Sequence, residues 1–293
     1  MTTNDHLEAF AREALALPTE QRIDFLRQPR WVGYQRARDI LAQLEAALRH
    51  PKVERMPNLL LVGDTNNGKT MLASRFVRQH AVSADGTRTV LMVQAPPVPD
   101  ENRFYAGILE ALNAPYRPQE TAARRQVQVL RLLRGIGLQM LVIDEIHHIL
   151  AGAYAKQRRF LNVLKYLGNE LRIPLVGVGT LDALRAVQTE PQVASRFDPV
   201  ALSRWQWSKE FLVLLASFER VLPLREPSHL ISEPLARKLL SWSEGTIGEL
   251  SRLLNRAAET AIRKGMERID ERVLSATEWV RPSERRQQVE RLV

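Results

Sequence analysis

The stretch LLLVGDTNNGKT, Leu59 to Thr70, constrains the fold more than any other. An apolar run enters a glycine-bracketed loop that closes on Lys69 and Thr70. From Gly63 the residues fit G-x-x-x-x-G-K-[ST], a loop whose consecutive backbone N–H groups curl around a phosphate. Gly63 and Gly68 permit the backbone angles and close approach this needs, and Asp64, Thr65, Asn66 and Asn67 fill the loop between them. Lys69 reaches the β- and γ-phosphates as a point charge, and the Thr70 hydroxyl ligates the magnesium ion that bridges them. From Met71 to His80 the chain continues as a helix, whose N-terminus adds partial positive charge to the site. ATP with Mg2+ is therefore the expected occupant.

Around that loop the pattern alternates strand and helix. NLLLVGD, RTVLMVQA, QMLVIDE and IPLVGVGT read as buried parallel strands, and DPVALSRW as a weaker fifth. Helices are expected between them, near 103–113, over ARRQVQVLRLLRG and around RRFLNVLKYLGNEL. Such alternation predicts an α/β fold with a five-stranded parallel sheet. Helical patterns occupy the rest: an N-terminal segment over residues 1–50, and a small C-terminal lid domain over 207–280 after a core of 51–206. The last residues, 281–293, read as a charged, frayed or partner-dependent tail.

A phosphate loop needs a carboxylate at the end of a neighbouring strand, and LVIDE supplies it. Asp144 is placed to hold the metal and Glu145 to act as the base that polarises the attacking water. His147 and His148 follow at once, but without a His-Glu-x-x-His arrangement or cysteines nearby they read as structural. Thr180 ends the fourth strand, where a polar side chain can sit between γ-phosphate and Asp144. Arg196 in VASRFD can reach a neighbouring subunit's γ-phosphate, with Arg204 as the rival finger, and Arg252 in GTIGELSRLL can touch phosphate from the lid.

The chain carries 42 basic and 33 acidic side chains, a formal charge of +9, which favours an anionic partner such as nucleic acid. It has no cysteine, which removes disulfides and thiolate chemistry. No apolar run approaches a membrane span, and the N-terminus lacks a signal core, so a cytoplasmic location is expected.

Together, GDTNNGKT, LVIDEIHHIL, GVGT, SRFDP and GTIGELSRLL resemble the AAA+ P-loop NTPases of transposition, specifically TniB, with TnsC and MuB as more distant relatives. The stretch YQRARDILAQLEAALRHPKVERMPNLLLVGDTNNGKT is especially similar to TniB proteins. The resemblance implies a homo-oligomer, ring or helical filament, that assembles on double-stranded DNA with ATP. It would present target DNA to a DDE transposase of the TniA-like kind, with a TniQ-like adaptor as a further partner. It also implies an adenine pocket near Trp31, Val32 and Tyr34. DNA contacts are implied at Asn102 and Arg103, with Arg124, Arg125, Lys156, Arg158 and Arg159 next, directed at phosphates and not bases. Two other readings stay open: a loader for a helicase or clamp, and an ATP-locked DNA scaffold that does not turn over.

Overall fold

The computed structural model describes residues 4–80, 89–188 and 194–291. In chain order the elements are helices α1 (Ala9–Ala14), α2 (Thr19–Arg27) and α3 (Gln35–Leu48), strand β1 (Asn58–Gly63), α4 (Lys69–Gln79), β2 (Val90–Gln94), α5 (Glu101–Ala111) and α6 (Ala122–Gly135). There follow β3 (Met140–Asp144), a 3-10 turn (Ile146–Ala151), α7 (Tyr154–Leu171), β4 (Leu175–Gly179), α8 (Leu181–Gln188) and β5 (Phe197–Leu202). The chain ends in α9 (Lys209–Glu219), α10 (Glu233–Ser243), α11 (Ile247–Arg263), α12 (Glu271–Ala276) and α13 (Pro282–Glu290). They fall into two units, one of Asp39–Ser203 and one that joins Met1–Arg38 to Arg204–Val293.

In the first unit the apolar runs become a five-stranded parallel sheet of order β2-β3-β4-β1-β5. Every residue of β1, β3 and β4 is buried, because helices cover both faces of a parallel sheet. The register aligns the strand ends: Val62 pairs with Gly179, Gly63 with Leu202, and Gln94 with Asp144. The loop after β1 and the ends of β3 and β4 therefore open on one side of the sheet, where α/β folds bind ligands. Leu60, Val62, Phe104, Ile108, Leu133, Leu141, Ile143, Phe160 and Leu164 belong to one continuous core beneath them. Each side chain of this kind contributes about 1.5–3 kcal/mol by burial. Side-chain caps set two helix starts here: Asp100 accepts from Arg103 N and Thr121 from Arg124 N.

The second unit is organised by α11, whose Leu250, Leu253, Leu254, Ala257, Ala258, Ala261 and Ile262 recur at spacings of three and four and are all buried. α10, α12 and α2 pack against it. The N-terminal helices thus share a unit with the C-terminal ones. Arg22 is the fastener: it is 3% exposed, its Nε and Nη2 donate to Pro223 O at 3.0 and 2.8 Å, and its Nη1 donates to Glu267 Oε1 at 3.0 Å. Arg30 adds a bond to Asn255 Oδ1 at 2.7 Å, and Glu8 N one to Arg220 O at 2.9 Å.

The charged end of the chain differs from a frayed tail, although residues 292 and 293 lie outside the described residues. Residues 282–290 form α13, anchored by Ser283 N donating to Glu244 Oε1 at 2.9 Å. Arg285 lies over the Trp279 ring and also meets the buried carboxylate of Glu249. Among the described residues no helix is long and apolar enough to cross a membrane.

Candidate nucleotide site

The loop between β1 and α4 is held open by two glycines with different duties. Gly68 stands at φ 84°, left-handed backbone that favours glycine. Gly63 is set by space: a Cβ there would come within 2.4 Å of Leu202 O on β5. Asn67, 1% exposed, turns its amide away from the loop's mouth and donates to Leu202 O at 2.8 Å and Ser203 O at 3.0 Å. Its side chain thus braces the loop against β5. Thr65, Asn66, Thr70 and Met71 are exposed, and Asp64 is half-buried.

Lys69 opens α4, only 9% exposed, with Nζ donating to the backbone oxygen of Asp64 at 2.6 Å. Burial pushes its ammonium below the usual lysine range, while the charges of Glu145, Asp144 and Asp64 pull it back up. A cation so placed is compensated in part by three carboxylates and suits an anionic ligand. The first turn of α4 contains no acidic residue, so its N–H groups and partial positive charge complement the same anion.

Asp144 ends β3 at 8% exposure and accepts from Glu145 N at 2.9 Å. Glu145 leaves the strand at φ 55°, a strained conformation for a residue with a side chain that costs about 1–3 kcal/mol and clusters at functional sites. Thr180 follows β4, its Oγ1 buried without a hydrogen-bond partner. An orphaned hydroxyl at that strand end fits a phosphate, and the hard oxygens of Asp144 and Thr70 suit a magnesium ion. Glu145, His147 and His148 also bring ligand atoms within 4.8 Å of one another. His147 Nδ1 lies 3.2 Å from Glu145 Oε2, and the two histidine rings stand 4.8 Å apart.

Arg196 is not at this end. Its backbone oxygen accepts from Asn58 N, where β1 begins, and its Nη1 donates to Asn169 Oδ1 at 2.6 Å. The length of β1, about 17 Å at 3.3 Å per residue, separates it from its own phosphate loop. Arg55 pins the preceding residue, donating to Ser195 O at 3.0 Å and Oγ at 2.7 Å. In the second unit Arg252 is 52% exposed on α11 and donates to Glu249 Oε1 at 3.1 Å. Arg204 precedes Trp205, whose N–H donates to Gly245 O at 2.7 Å. Val32 and Tyr34 are buried there. Tyr34 meets the Trp205 ring edge-on at 5.1 Å, and burial pushes its hydroxyl up to about 12.

The basic candidates of the first unit divide. Lys156 and Arg159 are exposed and line, with Asn102, a cleft of about 210 Å3. Arg103 faces a separate cleft of about 1110 Å3 beside β2, and Arg124 and Arg158 are exposed. Arg125 differs from the implied contact: at 5% exposure it donates to Asn102 O, Arg117 O and Pro118 O at 3.1, 3.0 and 2.9 Å, tying the start of α5 to the loop before α6. Helical phase was the available signal, because Arg125 falls four residues before Val129 and eight before Leu133, both buried.

A family model described as "Bacterial TniB protein" matches residues 22–207. No curated protein matches. Among solved structures, the Aeropyrum pernix ORC1 protein in complex with DNA is similar at 21% identity and TM-score 0.60, over 91% of this chain and 69% of that one. The Aeropyrum pernix ORC2 protein in its ADPNP-ADP complexes follows at 19% and 0.56, over 82% and 65%. A single-residue variant of Thermotoga maritima RuvB stands at 18% and 0.52, over 86% and 72%. At such identities the likeness is one of fold, that of AAA+ P-loop ATPases.

Proposed function

As this chain belongs to the TniB family, we propose that it is a Mg-dependent ATPase that oligomerises on double-stranded DNA and delivers or selects target DNA for a DDE transposase. One observation carries this reading. Lys69, Asp144, Glu145 and Thr180 gather at one end of the sheet, while Arg196 is pinned at the other. A finger at that distance serves the site of a second copy, so the active form is an assembly. Structures of the same fold support the partners: that of the ORC1 protein is a complex with DNA, and those of the ORC2 protein are ADPNP-ADP complexes.

In the proposed reaction the N–H groups of Gly63 to Thr70 and Lys69 hold the phosphates in place. Thr70 and Asp144 would hold the magnesium ion, which would supply charge neutralisation to the phosphates. Glu145 accepts a proton from the water that attacks the γ-phosphorus, and ADP leaves in line. Thr180 hydrogen-bonds at the γ-phosphate side, and the neighbour's Arg196 stabilises the charge that develops there. Arg252 reports the phosphates to the helical unit. Val32 and Tyr34 border the adenine, and Arg204 is the finger if Arg196 is not.

Asn102, Arg103, Arg124, Lys156, Arg158 and Arg159 are the surface from which DNA phosphates are met, giving salt-sensitive binding with little sequence preference. A TniA-like transposase and a TniQ-like adaptor complete the set of partners, and the site of action is the cytoplasm. The test is electron microscopy of the full chain with duplex DNA and a slowly hydrolysed ATP analogue. Ordered assemblies are expected with the natural chain and none with Lys69→Ala. Assemblies of Lys69→Ala equal to those of the natural chain would remove nucleotide as the switch.

A further inference from the structure

We propose that His147 is a positioning residue for the catalytic base, fixing the direction in which the Glu145 carboxylate faces; this rests on the reading of Glu145 as that base. Glutamate has three rotatable bonds, and a base must be held to a fraction of an ångström to act on water. The backbone of Glu145 is fixed by its bond to Asp144 Oδ1 and by its left-handed turn. Among the described residues, the one ionisable partner in contact with its carboxylate is His147, with Nδ1 at 3.2 Å from Oε2.

His147 is itself held. Its backbone nitrogen lies 3.4 Å from the place a Cβ of Gly179 would occupy at the end of β4, and its ring packs on that of His148. The Nδ1 to Oε2 contact lies off the hydrogen-bonding direction, so Nδ1 is buried without a well-aligned partner. A small rotation of the carboxylate completes that bond and leaves Oε1 for the attacking water. The charge of Glu145 acts on Lys69, so the carboxylate already stands near the phosphate end of the site. His148 carries the connection outward: its Nδ1 is 3.5 Å from Ala95 O, and it lines the cleft beside β2 with Gln94, Pro96 and Arg103.

The test is steady-state ATP turnover by the full chain with duplex DNA, for His147→Ala, His147→Asn, Glu145→Gln and the double variant Glu145→Gln with His147→Ala. Asparagine places an N–H donor close to where Nδ1 stands. His147→Ala is expected to lower kcat about tenfold to a hundredfold with KM for ATP unchanged. His147→Asn is expected to recover most of that loss, and the double variant to be no slower than Glu145→Gln alone. A His147→Ala chain with unchanged kcat beside an inactive Glu145→Gln overturns the inference and leaves the base reading standing. Natural turnover by Glu145→Gln overturns the base reading instead. A rise in kcat of the natural chain on adding a chelator selective for transition metals over magnesium would also overturn it, making the pair of histidines and Glu145 a site for such an ion.

Discussion

Asn67 and Gly63 show what the phosphate loop demands of single residues. Gly63→Ala would drive a Cβ against Leu202 O, a backbone atom that cannot swing aside, so β1 and β5 must part. Asn67→Ala leaves two carbonyls of the β5 end without their donor. Each substitution is expected to destabilise the chain by about 1–3 kcal/mol in denaturant unfolding, and Asn67→Ala also to weaken ATP binding while Lys69 stays in place. The motif made Gly68, Lys69 and Thr70 legible, because their duties are local. The partner of Asn67 lies 135 residues away in the chain, and no local pattern encodes it. Arg125 is the opposite case: the family resemblance implies a phosphate contact, while its phase with Val129 and Leu133 places it inside.

Among elements, the junction of α2 with the C-terminal helices is the one that sequence patterns could not foresee. The strands are visible as apolar runs and their parallel pairing as strand–helix alternation, but nothing in α2 marks Pro223 or Glu267 as its partners. Arg22→Ala would leave Glu267, whose carboxylate is 15% exposed, without its main counter-charge, and is expected to cost about 3–5 kcal/mol, read as a lower unfolding midpoint. Burial raises the Glu267 carboxyl, but its hydrogen bonds and charges with Arg22 and Arg225 outweigh that and hold it below the usual carboxylate range. Its contribution to stability is therefore complete above the ordinary range and is lost as pH falls through the lowered value. Glu267→Gln is expected to flatten the acid side of the stability curve, measured as unfolding midpoint from pH 7 down to pH 3. The terminal α13 follows the same logic. A tail with few apolar residues still folds, because Arg285 neutralises the buried Glu249. Arg285→Ala is expected to lower stability by about 1–3 kcal/mol, with Arg252 left as the partner of Glu249.

At the scale of the whole molecule, the sheet places an ATP-binding end and an arginine-bearing end on opposite sides of one unit. On the proposed function each copy carries half of two sites. The parallel pairing of β1 with β5 gives that separation a length. The most direct measurement mixes two variants that each fail alone. Glu145→Gln binds nucleotide and offers an intact Arg196, and Arg196→Ala keeps an intact base. With DNA present, an equal mixture is expected to regain about a quarter of natural turnover, since one interface in four joins an intact base to an intact finger. Natural turnover by Arg196→Ala on its own, or an inactive mixture whose two chains co-assemble, would contradict a site completed by a neighbour.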